Sequence, residues 1–113
     1  MSYCTQSDII SRRVPESELI QLTDDADTGL VDTGVVDDII AEAGELIDGF
    51  LRHRYDLPLD PVPGLLTVIA VDLCVYALYQ RRAHVDTPQT IIDGHKNSMK
   101  LLSSIQRGEL DLG

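Results

Sequence analysis

Aromatic side chains are scarce in this chain: no tryptophan, one phenylalanine, Phe50, and four tyrosines. The core must therefore be built from Leu, Ile, Val and Ala. Strand-rich domains draw more heavily on aromatics, so the composition leans towards helices. Cysteine is limited to Cys4 and Cys74, which excludes a dense disulfide scaffold. A reduced cytosolic protein is the expectation, with a single disulfide as the alternative. Positive charge is short as well. Nine basic residues face 19 acidic ones, leaving a net charge of −10. Arg12 and Arg13, Arg52 and Arg54, and Arg81 and Arg82 stand as separate pairs rather than one patch. Binding DNA or RNA through phosphate neutralisation is thereby disfavoured, although DNA sliding past an acidic wall remains compatible.

Signatures of chemistry are also missing. No Gly-rich phosphate loop occurs, and no serine is flanked by elbow glycines. His53, His84 and His95 share no zinc-ligand spacing with each other or with the cysteines. No catalytic residue and no cofactor is expected, and the chain does not read as an enzyme. The N-terminus lacks a basic segment followed by an apolar run, so no signal peptide is expected.

One stretch is rich where the rest is spare. Residues 65–79 are apolar all the way round a helix, interrupted only by Thr67 and Asp72. At about 1.5 Å per residue the run covers about 22 Å, short of a bilayer core of about 30 Å, and Asp72 at its middle penalises insertion further. A helix apolar on every face must be covered on every face by protein. It is the expected central post of a single domain spanning residues 1–113.

Around it the pattern predicts a small all-α bundle of two short N-terminal helices and three longer ones. Residues 1–4 read as a loose leader, and Thr5 with Asp8 forms a capping-box start. Val14 before Pro15 ends the first helix, and Pro15 opens the second. After an Asp-rich loop, Asp32 or Thr33 caps an amphipathic helix from Val35 to about Tyr55. Asp38, Glu42 and Glu45 crowd its polar side, and Asp48 and Arg52 have the spacing of a surface pair. Three prolines between Leu57 and Gly64 predict a stiff, extended connection. The central helix follows, to about Ala83. Thr87 and Pro88 start the last helix, which Gly108 ends. Residues 108–113 alternate polar and apolar, so Leu110 and Leu112 suit an extended arm that contacts a partner.

The loop Asp24-Asp25-Ala26-Asp27-Thr28-Gly29 places Asp24, Thr28 and Asp32 at three calcium-hand positions. Ala26 and Val35 occupy two others, so a turn held by local side-chain bonds is the favoured reading. Asp72, a carboxylate on a buried helix, needs a charged or multiply donating partner. Arg54 projects into the apolar stripe of its own helix but lies too far along the bundle, whereas Arg12, Arg13 or Tyr76 reach more easily. The expected role is structural.

Several segments taken together resemble a family of small proteins from Mu-like prophages. They are Tyr3 with the Thr5–Asp8 start, Leu22-Thr23-Asp24-Asp25 leading through Thr28-Gly29 to Asp32, and the C-terminal 108–113. The fullest match is Arg54-Tyr55-Asp56-Leu57-Pro58-Leu59, followed by Pro63 and the central helix with Asp72, Tyr76 and Tyr79. At Asp56 the family more often has a neutral residue. The resemblance implies structural roles for Arg54, Tyr55, Pro58, Asp72 and Tyr76. It further implies a virion-assembly protein related to head-completion or head–tail connector proteins. These form a ring of about twelve copies below the portal, closed by heterologous contacts. Implied partners are other copies, the portal and a tail-completion protein, with DNA passing through unread. The implied location is the host cytoplasm and then the virion. The alternatives are a helical adaptor or regulator binding one protein and, further off, a calcium-binding module.

Overall fold

The computed structural model describes residues 2–82 and 85–112, so Met1, Ala83, His84 and Gly113 lie outside the described residues. Five helices follow one another: α1 (Gln6–Arg12), α2 (Glu16–Thr23), α3 (Thr33–Leu51), α4 (Gly64–Gln80) and α5 (Gln89–Gln106). No strand occurs among the described residues. α4 is the hub, packing against each of the other four helices, while α3 and α5 also pack on each other. Leu66, Ile69, Ala70, Val71, Leu73, Cys74, Val75, Leu78 and Tyr79 are buried around its circumference. That is the consequence of having no polar face to turn towards water.

The first helix starts where local chemistry dictates. Thr5 Oγ1 accepts from the Asp8 amide at 3.2 Å, and Asp8 Oδ2 accepts from the Thr5 amide at 2.9 Å. Two orphan donors are thereby satisfied reciprocally. Asp32 Oδ1 accepts from the Val35 amide and caps α3. Pro15 and Pro88 sit at the caps of α2 and α5 rather than in their first turns. Thr87 does not cap α5; its hydroxyl accepts from Gln80 Nε2 at 3.3 Å.

Further expectations change. α3 stops at Leu51, because the amides of Arg54 and Tyr55 both bond to the Leu51 carbonyl in a closing turn, at 2.9 and 3.0 Å. The leader is seated rather than loose, with Tyr3 3% and Cys4 4% exposed. Thr67 Oγ1 donates to the Tyr3 carbonyl, and the Tyr3 hydroxyl donates to Asp48. The connection between α3 and α4 bends repeatedly instead of running extended, with cis peptides before Pro58 and Pro61. Residues 108–112 fold back on their own chain rather than projecting, and Leu110 and Leu112 pack partly buried against the core.

Candidate functional site

The candidate calcium residues form a self-contained turn. Asp24 Oδ1 accepts from the amide and hydroxyl of Thr28, at 2.8 and 2.9 Å, and its Oδ2 accepts from the Gly29 amide at 2.7 Å. Backbone donation by Thr28, ahead of the other contacts, holds the Asp24 carboxyl below its ordinary range. Asp32 is occupied in capping α3, and its amide donates to Thr23 Oγ1 at 3.0 Å. Asp25 turns away to Arg81 and Arg82, at 2.8 and 2.9 Å, tying the loop to the end of α4.

Asp72 lies where α4 meets α1 and α5. Arg13 Nε donates to its Oδ1 at 2.7 Å and Ser98 Oγ to its Oδ2 at 3.2 Å. A Cβ added at Gly94 would stand 3.4 Å from Oδ1, so the glycine lets α5 approach this carboxylate closely. Of the partners considered from sequence, Arg13 is the one that reaches. Tyr76 instead stacks on His95, with ring centroids 3.9 Å apart. Ser98, only 1% exposed, was invisible in the sequence as a partner because a lone helical serine carries no pattern.

Arg54 lies beyond α3 and serves the far end of the chain. Its Nη1 donates to the Ile105 carbonyl at 2.7 Å, and its guanidinium rests beside Gly108. The Tyr55 hydroxyl donates to Asp111 Oδ1 at 3.0 Å and accepts from the Leu112 amide at 3.1 Å. The Arg54–Leu59 and C-terminal segments, singled out separately in the sequence, therefore form one latch. Pro58 is exposed beside it, between the partly buried Leu57 and Leu59. Leu110 and Leu112 lie within this latch, partly buried against the core.

A cleft of about 190 Å³ opens at the junction of α3 with α4 and α5. Ile39, Ala43 and Leu46 of α3, Leu73, Tyr76 and Ala77 of α4 and His95 of α5 line it. Leu46 is 41% exposed at its edge. The apolar surface continues along α3 through Gly49 and Phe50 towards Gln106. Exposed Asp38, Glu42 and Glu45 line the adjoining rim. His95 Nδ1 is buried without a hydrogen-bond partner among the described residues, and burial lowers the pKa of its imidazole. The apolar spacing from Val35 to Phe50 is the sequence signal for the α3 wall of this cleft, and of that stripe Leu46 is left exposed.

A face of opposite character lies on α5. Helical spacing gathers Lys96, Lys100, Ser103 and Arg107 away from the buried Leu102 and Ile105. Met99, Lys100, Ser103, Ser104 and Arg107 line an open depression there. Lys96 and Lys100 are exposed and make no ion pair among the described residues, while Arg107 pairs with Glu109 at 2.8 Å.

A family model described as Bacteriophage Mu, Gp36 matches residues 3–113. The chain is also similar to Gene product J of Escherichia phage Mu, being 29% identical over 113 residues that cover 100% of this chain and 77% of that protein.

Proposed function

The chain belongs to the family described as Bacteriophage Mu, Gp36, and from that premise we propose that it is a structural protein of the head–tail connector. In this reading about twelve copies close into a ring below the portal, extending the DNA channel and giving a tail-completion protein its seat. The protein accumulates in the host cytoplasm and ends in the virion.

The observation that supports this reading is the pair of unlike faces on one subunit. A C2 dimer apposes one patch with itself, whereas a ring needs a head on one copy to meet a different tail on the next. The acid-rimmed apolar cleft between α3, α4 and α5 and the lysine-bearing outer face of α5 are such a pair. We assign the cleft to a second copy: Lys96, Lys100 and Met99 of one subunit set against Leu46, Glu42 and Glu45 of its neighbour. A net charge of −10 suits a channel wall along which DNA moves without adhering.

The test has two arms. Particles from a phage lacking the gene are imaged; DNA-filled heads without tails, or heads that lose DNA, are expected. Normal virions overturn the connector role. In solution, light scattering with the portal present reads assembly. Glu42→Lys alone should abolish the high-order species, and adding Lys100→Glu should restore it. A stable one-to-one complex with a different protein, seated in the same cleft, would favour the helical adaptor instead.

A further inference from the structure

The chain has two cysteines, and the fold brings them together. Cys4 Sγ and Cys74 Sγ lie 3.9 Å apart although 70 positions separate them. Cys4 is 4% exposed and Cys74 0%. A disulfide requires about 2.05 Å between sulfurs, a closure of under about 2 Å that thiol rotation and a small shift of the N-terminal segment can supply. Both backbones are already positioned. Thr67, on α4, holds the Tyr3 carbonyl at 2.9 Å, and the Tyr3 hydroxyl is tied to Asp48 on α3. Cys74 sits on the rigid helix against which the whole domain packs.

We propose that Cys4 and Cys74 form an oxidation site, open while the subunit is in a reducing compartment and closed to a disulfide when it meets a low-molecular-weight disulfide. The Cys4 thiolate attacks one sulfur of the small disulfide, giving a mixed disulfide and releasing one small thiolate, which takes up the proton Cys4 lost. Cys74 gives up its proton, and its sulfur attacks the Cys4 sulfur, expelling the second small thiol. Two protein thiols are oxidised and one small disulfide is reduced to two thiols. The order follows from position. Cys4 precedes α1 in a non-helical segment whose brief lifting admits a reagent, whereas Cys74 lies within α4, enclosed by the helices around it. The hydrogen bond from Cys74 lowers the Cys4 pKa, while the same contact, followed by burial, raises that of Cys74, consistent with Cys4 attacking first. The closed bond would clamp the leader to α4 and cross-link the chain across α1, α2 and α3.

This chemistry stands apart from the connector reading; only its timing, on release of particles from the reducing host, rests on that reading. The purified full chain is incubated with glutathione disulfide, alkylated without reduction and mapped by mass spectrometry. A Cys4–Cys74 linked peptide and a Tm higher by roughly 10 °C are expected, and Cys4→Ser should lose both. Free thiols at excess oxidant, a glutathione adduct that never resolves, or an intermolecular dimer would overturn the site. Mapping the wild type decides the matter even if the variant folds poorly. In released particles, a linked peptide supports the proposed timing. Reduced thiols there, with closure intact in the purified chain, overturn the timing and leave the site standing.

Discussion

Arg13 and Asp72 join the shortest helix to the central one, with Nε 2.7 Å from Oδ1. The pair is asymmetric: the arginine side chain is 38% exposed and the aspartate 11%. Water screens the arginine, but the carboxylate depends on its protein partners.

The two ends of that pair should therefore differ in cost. Arg13→Ala leaves Asp72 bonded to Ser98 and open to rescue by water at its edge, and should cost up to about 1 kcal/mol. Asp72→Ala strands the buried Ser98 hydroxyl and leaves space beside Gly94, and should cost about 2 kcal/mol. Urea unfolding checks both. The midpoint should fall more for Asp72→Ala with the slope unchanged, and equal losses would contradict the asymmetry.

Alkaline pH should loosen the fold through its buried tyrosines. Burial, followed by the hydrogen bond to Glu18, pushes the Tyr79 pKa up to about 12. Burial and Asp48 raise that of Tyr3 as well. An unfolded tyrosine titrates near about 10. The stabilising contribution is thus complete below about pH 10 and is lost as pH rises through about 12. Denaturation midpoints should fall across that window, and Tyr79→Phe should flatten the fall.

A substitution at Leu46 should separate the proposed association from folding. It is 41% exposed, so Leu46→Arg should shift stability by no more than about 0.5 kcal/mol. The same change should abolish the high-order species proposed to form with the portal, as read by light scattering. Loss of stability matching the loss of assembly would assign Leu46 to the core instead.

The C-terminal latch should open from either side. Gly108 has φ +81°, a left-handed position closing α5, so Gly108→Ala should cost about 1 kcal/mol. Arg54→Ala removes the cation that binds the Ile105 carbonyl in the last turn, where positive charge complements the helix dipole. Hydrogen exchange at the Leu112 amide should accelerate in both variants, and in Tyr55→Phe, with little change at α4.

How much of this was legible depended on the reach of each interaction. The Thr5–Asp8 cap and the Asp24–Thr28 turn span three or four residues, and local pattern identified both. The centrality of α4 followed from its lack of a polar face. Pairings across the chain were another matter. Arg13 was one of several candidates for Asp72, while Ser98 and Gly94 carried no signal. Arg54 was misassigned because the apolar spacing of α3 continues in projection past Leu51, where a turn actually ends the helix. Four residues of leader are too few for any periodicity, so the burial of Tyr3 and Cys4 was hidden. The cleft itself was not legible: the surplus of apolar surface was read on α4, whereas the exposed apolar residue at the cleft edge, Leu46, belongs to α3.

The hub arrangement also sets an order of events during synthesis. α1, α2 and α3 each pack principally on α4, yet all three leave the ribosome before it. Until residues 64–80 emerge, the apolar stripe of α3 has no cover, and nascent chains ending before Gly64 should stay unfolded and draw chaperones. Once α4 is free, three waiting helices and then α5 close on it together. Ribosome-bound nascent chains of increasing length should therefore acquire protease resistance in one late step rather than helix by helix.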